Sequence, residues 1–199
     1  MELNLKGKKA LITGGSKGIG LAIKKALESE GVECISWSRS EGVDLMKEIP
    51  NIPNVNFIIH NVGGMGTAPL EKWKETMHKN YGIIAEFMFK LYLRGFEDLE
   101  RVITISSIYG KEKGHNPVFT AAKAAQIAYM KSLAGRRGGV TFNTICPGHI
   151  DVGKPFPDKP QIIGKPEDVA GIVTFLCSEF ASHINGATIT VDGGESHAF

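Results

Sequence analysis

Thr13-Gly14-Gly15-Ser16-Lys17-Gly18-Ile19-Gly20 is the stretch whose residue types most directly suggest chemistry. It joins a short apolar run, Lys8–Thr13, to a segment with Ile19, Ala22, Ile23, Ala26 and Leu27 at helical spacing. Glycines at such a junction permit a tight turn and let a pyrophosphate approach the backbone. The helix behind them offers unpaired N–H groups and a partial positive charge. Cations stand nearby in the expected fold: Lys17 inside the loop, and Arg39 after Ser38 at the end of the second apolar run. Cation pairs of this kind suit a phosphate. Cys34, Cys146 and Cys177 are far apart and form no CxxC, so neither a disulfide framework nor a zinc site is expected.

The elements that must hold these residues alternate. Strands are expected at Lys8–Thr13, Glu33–Ser38, Phe57–Val62, Arg101–Ser107, Val140–Cys146 and Ala187–Asp192. Helices are expected at Gly18–Glu30, Leu70–Arg94 with a bend near Gly82, Pro117–Arg136 and Pro166–Ser178. This order predicts an α/β fold, a doubly wound parallel sheet of Rossmann type, as a single domain over residues 1–199. Asp151–Lys165 reads as a loop over the strand ends, where such sheets bind ligands.

Composition excludes several classes. The chain has 199 residues, 42% apolar and 22% charged, with a net charge of +2. That balance gives no reason to expect nucleic acid or an anionic membrane as partner. No apolar run is long enough for a bilayer span, and no signal-peptide pattern precedes the first strand, so a cytoplasmic setting is expected.

Several motifs, in order, resemble the short-chain dehydrogenase/reductase family across nearly the whole chain. TGGSKGIG resembles its TGxxxGxG loop. His60-Asn61-Val62-Gly63 resembles its NNAG, with two letters changed. Asn80 matches its helix asparagine, and Ile105–Gly110 its serine-bearing strand. Pro147-Gly148-His149-Ile150 matches its PGxI turn, and Gly164–Ala170 with Val191–Gly194 its C-terminal signature. The resemblance implies an NAD(P)-dependent oxidoreductase that reduces a carbonyl or oxidises an alcohol of a small molecule.

It also implies roles. Ser107 would orient the substrate oxygen, Lys123 would bind the coenzyme ribose, and Asn80 would hold a water linking that lysine to solvent. Gly14, Ser16, Lys17, Gly18, Ile19, Gly20, Ser38, Arg39, Asp44, Leu45, Asn61, Val62, Gly63, Pro147, Gly148 and Ile150 would contact the coenzyme. Asp44-Leu45 stands for the pair at the adenine. Ser38 with Arg39, where NAD-binding members carry an acid, points to NADP, with NAD the alternative. Subunits of the family pair as dimers or tetramers.

The departures are equally specific. Phe119 occupies the place of the proton-transferring tyrosine, four residues before Lys123. A second YxxxK, Tyr109–Lys113, carries a glycine and precedes Gly114 and Pro117, so it is expected to be loop. Tyr109 or His115 could still reach the pocket as a substitute acid. His149 is expected in the substrate wall, with Met65 and its neighbouring glycines. Val152 replaces a threonine near the carboxamide. Phe87-Met88-Phe89 is expected in the core or at a subunit contact. The segment Glu41–Asn56 is too short for the helix and strand usual there. Three readings stay open: an impaired or altered reductase, an inactive dinucleotide-binding sensor or scaffold, and an active reductase whose tyrosine was deliberately changed to phenylalanine.

Overall fold

Side chains alternate between the two faces of each strand, as the pleat requires. In β1 (Lys9–Thr13), Leu11 packs on one face while Ala10 and Ile12 pack on the other. In β3 (Phe57–His60), Ile58 opposes Phe57 and Ile59 in the same way. Strands apolar on both faces must be covered on both. In the computed structural model, which describes residues 2–64, 72–136, 138–153, 156 and 162–198, helices do cover both.

The remaining strands are β2 (Glu33–Trp37), β4 (Arg101–Ile105), β5 (Thr141–Pro147) and β6 (Thr188–Val191). All pair in parallel, in the order β2-β1-β3-β4-β5-β6. Helices α1 (Gly18–Ser29) and α5 (Pro166–Cys177) pack together on one face around Ile23, Leu27, Val169 and Val173. Helices α3 (Ile83–Arg94) and α4 (Pro117–Leu133) cover the other, around Phe87, Leu91, Met130 and Phe142. Each expected strand and helix is present, with ends shifted by one or two residues in most. β3 stops at His60 and β4 at Ile105, two residues early each, and α4 stops three residues early, at Leu133.

The register fixes where the site can be. Thr13 lies opposite both Trp37 and His60, His60 opposite Thr104, and Pro147 opposite Val191. The loops beginning at Gly14, Ser38, Asn61, Ser106, Gly148 and Asp192 therefore leave from one edge. The chain runs from β1 to β2 on one side and then to β3 on the other. That reversal opens a crevice beside Gly14 and Asn61.

Two features were expected in outline only. The stretch between β2 and β3 holds one short 3-10 turn, Arg39–Glu41, and no helix or further strand. Buried Leu45, Ile49, Ile52 and Val55 pin it to the sheet. Lys90 and Arg94 of α3 donate to its Ile49 and Ile52 carbonyls, which satisfies backbone that irregular chain leaves unpaired. β2 is consequently the sheet edge. The helical stretch ending at Arg94 is interrupted rather than bent: α2 (Trp73–Met77) and α3 are joined by a π turn, His78–Gly82. Its beginning, and Met65, lie outside the described residues. Asn80 sits within this turn, and its Nδ2 donates to the Thr76 carbonyl at 2.9 Å. A side chain that takes the carbonyl of residue i−4 competes with the helix ladder there. The asparagine thus accompanies the break that Gly82 was expected to cause.

Candidate active site

The glycine loop has the form that a close turn demands. Gly14 and Gly18 have φ of 71° and 54°, in the left-handed region. A Cβ on Gly20 would lie 2.2 Å from the Gly14 carbonyl oxygen, so the helix can meet its own loop only through glycine. Asn61 Nδ2 donates to that same carbonyl at 3.1 Å. Lys17, the residue preceding α1, is extended and gives the helix no side-chain cap. The first N–H groups of α1 are therefore left for an anion. Ser16 and Ile19 are half-buried in this turn, and Val152 of the PGxI loop lies over Gly18.

Thr13 ties β1 to the next loop. Its Oγ1 accepts from the N–H groups of Asn61 and Val62 at 3.0 and 3.1 Å. Gly63 follows, and there the site narrows: a Cβ at Gly63 would lie 2.9 Å from Asn80 Oδ1 and 3.1 Å from Lys123 Nζ. Two expected residues from different helices therefore flank one small space. Asn80 is fully buried, and its Oδ1 accepts from the Gly64 N–H at 2.9 Å.

Lys123 is 3% exposed. Its Nζ donates to the Ile105 carbonyl and to Gln126 Oε1, each at 3.0 Å. An ammonium has three donors, so one remains for a ligand. Burial pushes its pKa down to about 7; the Lys79 charge adds to this and Cys146 opposes it. Phe119, one turn earlier, is buried with its N–H on the Asn116 side chain that caps α4.

Ser107 follows β4. Its Oγ accepts from the Tyr109 N–H at 3.2 Å, which leaves the hydroxyl proton free to donate. Ser106 points elsewhere, as alternation predicts, and its buried hydroxyl donates to the Lys123 carbonyl at 3.0 Å. YGKEK is a 3-10 turn, Ile108–Gly110, followed by irregular chain, and so is loop as expected. Pro147 ends β5, the Gly148 N–H donates to Val191, and Ile150 is buried against the α1 side.

At the adenosine end the structure adds a residue that the sequence did not flag. Ser38 and Arg39 lie beside the glycine loop, since Gly14 N–H donates to the Trp37 carbonyl at 2.7 Å. Yet the Ser38 hydroxyl donates to Glu41 at 2.5 Å, and Ser36 donates to the same carboxylate at 2.7 Å. These bonds hold the Glu41 pKa below its usual value, Ser38 more than Ser36. Arg39 is exposed. Asp44 accepts from the Met46 N–H, and Leu45 is buried in the core, with little surface left for a base.

Three further residues were missed or underread. Gln126 is fully buried with no partner for its Nε2 among the described residues; a lone amide on an apolar helix face was the available signal. His60 is buried, with Nδ1 at 3.4 Å from Thr13 Oγ1. Burial, then the Lys123 charge, lower its pKa to about 3, so it is neutral. Glu195, from the tail after β6, reaches back to His149.

The residues fit a nicotinamide coenzyme on these observations: an uncapped helix N-terminus, glycines whose Cβ atoms would block the turn, and a lysine with a spare donor. A family model described as enoyl-(acyl carrier protein) reductase matches residues 43–196. An acetoacetyl-CoA reductase of Rhizobium meliloti is 32% identical, over 95% of this chain and 98% of its own. The 3-oxoacyl-acyl-carrier-protein reductase FabG of Vibrio cholerae is 30% identical, over 96% and 98%. A solved dehydrogenase/reductase from Sinorhizobium meliloti 1021 superposes with a TM-score of 0.82 at 25% identity, over 98% and 97%. The first alignment spans 240 positions, more than the 199 residues here, so the shortening is internal and agrees with the reduced segment before β3. With the motif order, the topology and these matches in agreement, the chain belongs to the short-chain dehydrogenase/reductase family of NAD(P)-dependent oxidoreductases.

Proposed function

We propose that the protein is an NADP-preferring reductase of small carbonyl compounds, with Phe119 removing the usual acid from an otherwise assembled site. One observation carries this: Asn80 and Lys123, from separate helices, meet at Gly63, beside the β4 end that presents Ser107. Buried polar groups brought together at such a cost suit a ligand better than a scaffold. The coenzyme supplies the hydride. Gly14 to Gly20 with the α1 N-terminus would hold its pyrophosphate, Lys123 its ribose, and Asn61, Val62, Gly63, Pro147, Gly148 and Ile150 would line its path. Ser107 would donate to the substrate oxygen. Phe119 cannot give a proton, and its ring only shields Lys123 from water.

Lys17 and Arg39 support NADP, whose extra phosphate needs cations. Glu41 supports the second coenzyme reading, since a carboxylate at the end of β2 would accept the ribose 2′-OH of NAD. NADP binding would require exposed Glu41 to swing away and release Ser38 and Ser36. Exposed Phe89 and Leu93 on α3 support a homo-oligomer paired through the helices around the site. A cytoplasmic setting fits a chain in which no helix among the described residues is long and apolar enough to cross a membrane.

The test is titration with NADPH and NADH by fluorescence, then turnover on ketones, aldehydes and 3-oxoacyl thioesters, the last suggested by the relatives. Tighter NADPH binding with turnover is the expected result. Binding without turnover on any carbonyl would favour the sensor or scaffold.

A further inference from the structure

With Phe119 unable to act, a proton must come from elsewhere in the same pocket wall. The loop after β4, the turn after β5 and the tail after β6 converge there. Tyr109 Oη lies 3.5 Å from His149 Nε2. On the other side of the imidazole, Nδ1 is in close contact with Glu195 Oε1, and Glu195 Oε2 accepts from the His149 N–H at 2.9 Å. The carboxylate thus grips the histidine through two atoms. Both side chains are largely enclosed, His149 at 12% and Glu195 at 20% exposure. Phe156 packs edge-on against the imidazole, with ring centres 5.0 Å apart.

The surroundings are built to keep this arrangement. A Cβ on Gly148 would lie 2.5 Å from Glu195 Oε2, so the glycine leaves the room that Glu195 fills. The tail is tied to the Tyr109 loop at several points. Glu112 accepts from Ser196 Oγ and from the His197 N–H, both at 3.1 Å, and Lys111 donates to Thr190 Oγ1 at 2.9 Å. Asp192 accepts from the Gly194 and Ser196 N–H groups and holds the turn into the tail. His115 lies at the far side of the phenol ring, 6.3 Å between centres. A carboxylate, imidazole and phenol in line, drawn from three loops, form a chain for moving protons.

We propose that Tyr109 is the proton donor of this reductase, and that His149 and Glu195 position and recharge it. The proposal rests on the reductase reading above. The Glu195 carboxylate accepts from Nδ1–H and fixes the orientation of the ring. The imidazolium donates its Nε2–H toward Tyr109 Oη, and Tyr109 turns its own proton toward the substrate oxygen beside Ser107. As the carbonyl carbon takes the hydride that the coenzyme supplies, the Tyr109 O–H bond breaks and the alcohol O–H forms. The Nε2 proton passes to Oη, so Tyr109 ends as it began. Histidine is left neutral and regains a proton from solvent. At 3.5 Å the Tyr109–His149 contact is at the outer limit for a hydrogen bond, and it must shorten when substrate binds, as catalytic contacts commonly do.

The test uses the intact chain and its Tyr109→Phe, His149→Gln and Glu195→Gln variants, and it has four readouts. NADPH affinity by fluorescence is expected to be unchanged in Tyr109→Phe. Turnover in that variant is expected to fall on the order of 10²-fold. The pH profile of kcat should differ between the parent and His149→Gln. Without substrate or coenzyme, NMR of the His149 ring should show an Nδ1 proton protected from exchange by Glu195, and that protection should be lost in Glu195→Gln. Full turnover in Tyr109→Phe, or a His149 ring proton equally protected with and without the Glu195 carboxylate, would overturn the proposal and leave the reductase reading standing. No turnover in any variant despite bound NADPH would overturn both.

Discussion

The Lys123 ammonium lies 5.6 Å from the centre of the Phe119 ring, one helical turn away along α4. A cation at that distance from an aromatic face is weakly attracted to the ring, but a ring carries no proton to activate. Everything that would lower the pKa of a phenol here is present except the phenol.

Phe119→Tyr should therefore restore an acid. Phe119 is 6% exposed, so a new hydroxyl would enter the enclosed space that Lys123 shares. The ammonium should pull the phenol pKa down toward neutrality. In the Tyr109→Phe background, where the proposed donor is gone, turnover with NADPH should rise on the order of 10²-fold, and ultraviolet titration should show a tyrosine ionising below its usual range. Unchanged turnover in that folded double variant would place position 119 away from the reacting oxygen.

Two buried groups make stability depend on pH. Lys123 has its pKa lowered to about 7 from 10.5, and His60 to about 3 from 6.5. In both, the unfolded chain holds a proton that the native state rejects. Stability should accordingly rise with pH between the two values of each group, and be lost as pH falls through 10.5 to 7 and through 6.5 to 3. Lys123→Met should abolish the upper slope, and His60→Leu the lower. At pH 6 Lys123→Met should be as stable as the parent or more so, on the order of 1 kcal/mol, because a buried charge is removed. Its NADPH affinity should drop about tenfold, the value of one charged hydrogen bond. Urea unfolding across pH, with coenzyme titration, checks both. Unchanged affinity would remove Lys123 from the coenzyme site.

Coenzyme choice should turn on two side chains in the segment after β2. Arg39→Ala should weaken NADPH by about 1–2 kcal/mol and leave NADH nearly unaffected. Glu41→Gln should strengthen NADPH, since a carboxylate on Ser36 and Ser38 no longer opposes the extra phosphate. If Glu41→Gln instead weakens NADH and does nothing to NADPH, the acid is a ribose ligand and the protein prefers NAD.

A pair of glycines separates site geometry from simple helix propensity. Gly20→Ala would place a Cβ 2.2 Å from the Gly14 carbonyl, and a backbone atom cannot move aside cheaply. It should cost at least ~2 kcal/mol and loosen the coenzyme loop. Gly171→Ala, on the exposed face of α5 with open space for its Cβ, should stabilise by about 0.5–1 kcal/mol. Thermal melts of both variants would show opposite shifts.

The sequence by itself determined the alternation of strand and helix, the parallel sheet and the glycine turn after β1. These are written in local periods and in glycines at a junction, and they depend on neighbours in the chain; the reading of Phe119 came from the family resemblance. It also announced that Glu41–Asn56 was too short for another helix and strand. What only the tertiary structure decided depends on residues distant in sequence. Glu195 is invisible beside His149 until β5 and β6 pair and the tail folds back over Gly148. Asn80 and Lys123 come to share one small space only once both helical segments pack against Gly63. A hydrogen bond across three loops has no period, so it leaves no pattern to read until the chain has closed on itself.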